Sequence, residues 1–220
     1  MKYYLKAILL SCFLICHSSS ADQWQSVLTD SQLNYAVTFQ GLPIEGRFTE
    51  FSVDYSPAEK LLVKVAIGSA DMSDDELNSE IAGVDWFDTG RFGEAIFSSN
   101  SLVIDSYGAE RSSKENFIAE GSLNLKGVSE PVNVPFVWQP DTQNPDRATM
   151  SGQLVLKRSD FSIGIGDWSS GEQIGIDVSV SFSVVMQREA NELFDGKLLD
   201  GELIDRKLLD RKLLDEEQSN

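Results

Sequence analysis

Histidine and cysteine are nearly absent from this chain: His17, Cys12 and Cys16 are the only three in 220 residues. All three fall in a segment that reads as a secretory leader. Lys2 and Lys6 precede the apolar run from Ala7 to Cys16, and the small residues Ser18, Ser19, Ser20 and Ala21 follow it. Cleavage after Ala21 would put Ser19 and Ala21 at the two small-residue sites. That apolar run is also short of the roughly 20 residues a spanning helix needs, so no stable membrane insertion is expected. Lipidation at cysteine is disfavoured, because Ile15 precedes Cys16 and the apolar run before Cys12 is very short.

The predicted mature chain therefore has no histidine and no cysteine. That excludes cysteine and Ser-His-Asp nucleophiles, His/Cys zinc sites and structural disulfides, so the fold must rest on its core. Basic residues are scarce as well. Loss of Lys2 and Lys6 with the leader leaves 16 Lys and Arg against 35 Asp and Glu, a net charge of −19. A surface that acidic repels nucleic acid and anionic lipid headgroups.

What the chain does have is alternation. From Ile174 to Met186, Ile174, Ile176, Val178, Val180, Phe182, Val184 and Met186 fall on one face, with Gly175, Asp177, Ser179, Ser181 and Ser183 on the other. A period of two argues for an antiparallel strand with one wet and one dry face. Its length exceeds the common strand of roughly 5–6 residues and suits a barrel stave. The same rhythm runs through Trp24 to Phe39, Gly46 to Tyr55, Leu61 to Ile67, Ala95 to Ile104, Phe117 to Leu125, Val132 to Trp138 and Ala148 to Leu156. Turn chemistry separates these runs at Gly41 to Pro43, Ser56-Pro57, Tyr107-Gly108, Lys126-Gly127 and Pro140 to Pro145. About eight strands result, enough for a barrel holding one small ligand. Small inward residues, Ala119, Gly121, Ala148 and Gly152, are expected to leave room inside.

One stretch breaks the rhythm. Ser73 as N-cap, Glu76 three residues on, and Leu77, Ile81 and Val84 at helical spacing predict a short helical insertion within Ser73 to Phe87, covering one end of the barrel. The nearby Asp71, Asp74, Asp75 and Glu76 lack the glycine and closing glutamate of a calcium loop and read as charges favouring a helix N-terminus. After Arg188 the composition changes to GKLLD, GELID, RKLLD and RKLLD over residues 196–215. Five residues advance a helix by about 140° beyond a full turn, so the leucine pairs spiral without forming a seam. The expected organisation is a signal peptide at 1–21, a β-barrel at 22–188 and an acidic low-complexity tail of pentapeptide repeats at 189–220.

Several motifs carry a family resemblance. FIAEGSLNLKGVSEPVNVPF (residues 117–136) resembles the strand, Lys-Gly-Val turn and proline-flanked strand of YceI-like proteins. LKRSDFSIGIG (156–166) resembles that family's Lys-Arg-Ser-Asp-Phe motif, and IGIDVSVSFSV its final strand. Residues 75–99 are similar in the spacing of Leu77, Trp86-Phe87-Asp88, Phe92 and Phe97-Ser98, although the family commonly has proline where Gly93 stands and basic residues beside Leu77. The resemblance spans about Trp24 to Arg188. It implies an all-β, antiparallel, eight-stranded lipocalin-like barrel, periplasmic or secreted, which binds polyisoprenoid or another long apolar lipid for storage or transport. No enzyme activity is expected, because no sequence feature sets a catalytic pair apart from other surface acids, and no cofactor beyond a bound isoprenoid lipid or quinone. Some relatives are associated with b-type cytochromes, which gives such a cytochrome as a partner by analogy.

On that reading Tyr35, Phe39, Val65, Phe117, Leu123, Phe136, Leu154, Val178, Val180 and Phe182 line the cavity, and Trp86, Phe87, Phe92, Phe161 and Trp168 form its mouth. Arg158 and Asp160 either pair at a strand end or touch a headgroup. Two competing functions are a hydrolase using Asp85 and Asp88 as acid and base, and an acidic structural protein acting through its tail. The secreted form should begin within a residue or two of Asp22 and carry no lipid on cysteine. Intact mass and N-terminal sequencing check this, and a diacylated species starting at Cys12 would contradict it.

Overall fold

The computed structural model describes residues 23–56, 60–104 and 114–189. The predicted leader and the repeat tail lie outside these. The strands are β1 (Trp24–Ser26), β2 (Gln32–Phe39), β3 (Leu42–Phe48), β4 (Phe51–Tyr55), β5 (Leu61–Ala66), β6 (Ala70–Asp71), β7 (Glu94–Ile104), β8 (Glu115–Leu125), β9 (Val128–Pro140), β10 (Arg147–Lys157) and β11 (Ile174–Arg188). Among the described residues there is one α-helix, α1 (Asp75–Ile81).

These strands make eight staves of a closed barrel. Strands β1 and β2 run end to end along β11, from Trp24↔Arg188 to Phe39↔Ile174. In the same way β3 and β4 form the second stave, pairing β2 and β1 on one side and β6 and β5 on the other. From there β5, β7, β8, β9, β10 and β11 follow as antiparallel neighbours, so β11 returns to the first stave and the sheet closes on itself. The order is a meander, as the alternating runs predict.

Two-residue turns set the register. Gln40 and Gly41 (φ 49° and 83°) join β2 to β3, and Lys126 and Gly127 (φ 53° and 77°) join β8 to β9. Positive φ at both central residues gives the turn whose twist matches a hairpin, with glycine at the second position where it is unstrained.

Alternation predicts the dry face of β11 well. Val178, Val180, Phe182, Val184 and Met186 point inward while Asp177, Ser179, Ser181 and Ser183 are exposed. Ile176 departs from the pattern. The ladder to β2 shifts between Ile174 and Val178, and Ile176 packs over Gly171. The helix differs by one residue at its start. Asp74, not Ser73, is the N-cap, its carboxylate accepting from the Glu76 and Leu77 N–H groups at 2.9 and 3.0 Å. A carboxylate both caps and complements the helix dipole, whereas Ser73 is turned to φ 58° with its N–H donating to Asp71.

The small inward residues do not leave space. Ala119 and Ala148 are fully packed, and Gly121 lies opposite a bulge between Ser99 and Ser101 that brings the β7 backbone down onto it. A Cβ on Gly121 would stand 2.7 Å from Ser99 Cα and would also collide with the Ser98 carbonyl. Gly152 is similarly covered by Phe182 and the Pro135 carbonyl. Gly121→Ala should therefore cost about 1–3 kcal/mol, the penalty of overpacking. Urea denaturation measures it; an unchanged midpoint would mean there is room after all.

Candidate functional site: an apolar cavity under a clamped mouth

The two ends of the barrel are built differently. At the end where the chain enters, Trp24 and Tyr55 pack on Trp138 with ring centroids 4.9 and 4.8 Å apart, and Phe117 stacks on Phe136 at 5.2 Å. Met150, Val184 and Met186 complete this plug. Burial raises the Tyr55 hydroxyl pKa to about 12, which keeps it neutral there.

Toward the other end the interior opens into a cavity of about 530 Å³. Leu33, Tyr35, Val37 and Phe39 line it from β2, Val63 and Val65 from β5, Leu123 and Leu125 from β8, and Val132 and Val134 from β9. Leu154 and Leu156 of β10 and Val178, Val180 and Phe182 of β11 close the ring. Leu77, Glu80 and Ile81 of α1 lie over the opening, with Trp86, Phe87, Phe161 and Trp168 from the flanking loops. Among the described residues, Glu80 and Arg158 are the only lining side chains charged at neutral pH.

Of the residues expected at the site, Tyr35, Phe39, Val65, Trp86, Phe87, Leu123, Leu154, Phe161, Trp168, Val178, Val180 and Phe182 come together on this cavity. Three do not. Phe117 and Phe136 have inward parity but stand at the plugged end, where they stack on each other. Phe92 lies on the Lys126-Gly127 turn outside the barrel, with the Arg91 guanidinium 5.1 Å from its ring centre. Sequence reasoning passed over Leu33, Val37, Val63, Leu125, Val132, Val134 and Leu156, although each has the parity of a neighbour that it chose. It also missed Phe48, Met72 and Ile163, which carry no such mark.

Arg158 closes the mouth. Its side chain is almost wholly buried, at 4% exposure for the residue. All five of its N–H groups donate to backbone carbonyls, those of Ile163, Gly164, Trp168, Ile174 and Gly175, at 2.5–2.9 Å. Its guanidinium also lies 5.6 Å from the Trp86 ring centre. The pair with Asp160 does not form: Asp160 is exposed and, among the described residues, accepts only from the Ser159 hydroxyl. The reason is geometric, since a planar fork satisfies several carbonyls of a curled loop at once, which one carboxylate cannot. Burial without an anion lowers the Arg158 pKa from its usual value. Lys126 is a second strap, its ammonium donating to the Val84 and Ser162 carbonyls at 2.9 Å each.

Two polar atoms beside the cavity are buried with no hydrogen-bond partner among the described residues: the Tyr35 hydroxyl and the Trp86 indole nitrogen. Burial holds the Tyr35 pKa at about 12, so it remains a proton donor. The carboxylates weighed for catalysis are elsewhere. Asp85 is exposed and supplies its backbone carbonyl to the Gly164 and Ile165 N–H groups, while Asp88 is buried and pairs with Arg91 at 3.3 Å. Neither lines the cavity. Asp71 is taken by Arg47 and the Ser73 N–H, and no cluster of three metal-ligating side chains occurs among the described residues. No helix among them is long and apolar enough to cross a membrane.

A closed up-and-down barrel of eight staves around an apolar cavity defines a lipocalin-like barrel. Known proteins narrow this. The YceI-like domain family matches residues 24–186, and the chain belongs to that family. A UPF0312 protein of Vibrio campbellii is 30% identical over 150 residues, 64% of this chain and 76% of the relative. One from Shewanella oneidensis is 29% identical over 146 residues, 62% of this chain and 73% of its own length. Among solved structures, Burkholderia cenocepacia BcnA is 30% identical with a TM-score of 0.62, covering 73% of this chain and 98% of its own. A polyisoprenoid binding domain from Saccharophagus degradans shares the fold at 19% identity and a TM-score of 0.60, over 75% of this chain and 98% of that domain.

Arg158→Met should destabilise the protein by about 3–5 kcal/mol, the usual cost of breaking a buried charged network. Arg158→Lys should recover little, because three donors on a point charge cannot span five carbonyls. Denaturant midpoints give the stability, and hydrogen exchange over residues 163–175 should rise in both variants.

Proposed function

We propose that this protein binds one long apolar lipid, a polyisoprenoid or isoprenoid quinone, in the cavity between the aromatic plug and the Arg158 clamp. The observation that carries this reading is the cavity wall: hydrocarbon from every stave, with, among the described residues, a single carboxylate and a single, fully engaged guanidinium. Burying hydrocarbon is worth about 0.8 kcal/mol per CH₂, so one five-carbon isoprene unit supplies up to roughly 4 kcal/mol before ordering costs. A few units hold the ligand without any charged contact. The S. degradans relative's description as polyisoprenoid binding supports the same ligand class.

The polar end of the ligand is best accounted for as neutral. Arg158 has no N–H left to donate and Lys126 has two of its three engaged by carbonyls, so together they leave one donor where a pyrophosphate requires several charge-assisted contacts. The Tyr35 hydroxyl and the Trp86 indole, both donors without partners among the described residues, suit a ligand oxygen such as a quinone carbonyl. Secretion to a periplasm, a role in storage or transport, and a b-type cytochrome as partner complete the proposal by family analogy. Mass spectrometry of an apolar extract from purified protein tests the core of it. A stoichiometric isoprenoid is expected, and an extract with no apolar ligand, from protein that also takes none up, would refute it.

Parity gives a sharper check. Val180→Asp places a carboxylate in the apolar interior at a cost of several kcal/mol unless it is neutralised, and should abolish lipid binding. Ser179→Asp, one residue away on the exposed face, should leave binding within about twofold of the parent. Titration with a decaprenyl benzoquinone, followed by tryptophan quenching, compares the two. Equal losses in both would show that the barrel interior is not the site.

A further inference from the structure

The ladder between β9 and β10 is short. Paired residues run from Ala148↔Pro140 to Ser151↔Val137 and stop there, although β9 begins at Val128 and β10 continues to Lys157. The outer partners do not stop. β10 stays paired with β11 as far as Lys157↔Asp177, and β9 with β8 as far as Leu125↔Val128. Just past the last pair the Pro135 carbonyl still lies against Gly152, but farther toward the mouth, between Glu130–Asn133 and Leu154–Lys157, no paired residues join the two strands and a slit is left in the barrel wall.

Two prolines account for this. Leu125 and Val128 flank the two-residue turn and form a hydrogen-bonded pair, so the even-numbered residues of β9 bond to β8. The odd-numbered ones direct their backbone groups toward β10. Pro131 and Pro135 are odd-numbered and have no N–H to give. Were the ladder to continue in register, Pro135 would face Gln153 and Pro131 would face Lys157, each with its donor missing.

The slit contains a second pocket of about 300 Å³. Glu130, Asn133, Lys157 and Asp160 supply polar groups to it. Val132, Leu154, Leu156 and Phe161 line both this pocket and the central cavity, so the wall between them is one side chain thick. Phe161 is held there by the short turn Arg158–Phe161 that follows β10. The central cavity, at about 530 Å³, lies mid-way in the range of roughly 300–1,000 Å³ typical for drug-sized ligands. A chain of many isoprene units outgrows it and must leave the barrel somewhere.

We propose that the slit between β9 and β10 is a side portal through which an isoprenoid chain passes, with Phe161 as the side chain that closes it. This rests on the lipid-binding reading above. The apolar chain slides between Val132, Leu154 and Leu156 once Phe161 swings aside. The strand ends stay bonded to their outer partners, and no ladder bonds between the lips oppose passage. The competing route runs along the barrel axis beneath α1.

The described residues contain no cysteine, so a thiol pair can be placed across the slit without interference. Asn133→Cys with Val155→Cys puts one thiol on each lip at exposed, outward positions. A cleavable bifunctional thiol reagent then bridges them. Gln153→Cys with Ser181→Cys, across a fully paired ladder, is the control. Uptake of a decaprenyl benzoquinone from phosphatidylcholine vesicles is followed by tryptophan quenching in stopped flow. Bridging the slit should slow uptake by about tenfold or more, as for enzymes limited by a gate, with recovery on cleavage and no change in the bridged control. Uptake by the bridged slit at the control's rate would overturn the portal while leaving lipid binding intact. No uptake by the unbridged protein would overturn the lipid reading and the portal together.

Discussion

Everything in this barrel depends on β11 pairing back onto the first stave. That contact brings Trp24 at one end and Phe39 at the other against a strand laid down some 150 positions later. Without it the molecule would be an open sheet with two exposed edges and one apolar face, a form that soluble proteins avoid. With it, the dry face curls inward and becomes a wall. A wall of eight staves cannot fill its own centre with ordinary side chains unless bulky rings are supplied. At the plugged end they are supplied, as Trp24, Tyr55, Phe117, Phe136 and Trp138; farther along, valine and leucine predominate and the space stays open.

The mouth follows a different logic. Its loops have no sheet to belong to, so their carbonyls need donors from elsewhere. Arg158 and Lys126 supply them, one from the end of β10 and the other from the turn before β9. The side wall between those two elements is the place where the ladder lapses. Rigidity at the rim and looseness in the flank thus meet along β9 and β10.

Much of this was legible in the sequence, and the reason is the two-residue period. It reports which face a side chain takes, so all eight staves and most inward positions could be named in advance. It does not report height along the barrel axis. Phe117 and Leu123 share a strand and a parity, yet one closes the plug and the other lines the cavity. Phe92 misled for another reason, since an aromatic beside a glycine-rich turn has no period to betray its direction. The glycines misled because an absent side chain reads as space, when the Gly121 position is already occupied by the neighbouring backbone. Arg158 could not be resolved at all. Its partners are carbonyls, and carbonyls leave no trace in the amino-acid sequence.

That choice of partners has a consequence for the conditions the protein tolerates. A guanidinium held by carboxylates loosens when acid protonates them. A guanidinium held only by peptide oxygens has no proton-accepting partner to lose. Even with its affinity for the proton lowered by burial, arginine stays charged far above neutrality. The clasp on the mouth is in this sense blind to acidity, and to the redox state of its surroundings too, since no thiol takes part in it.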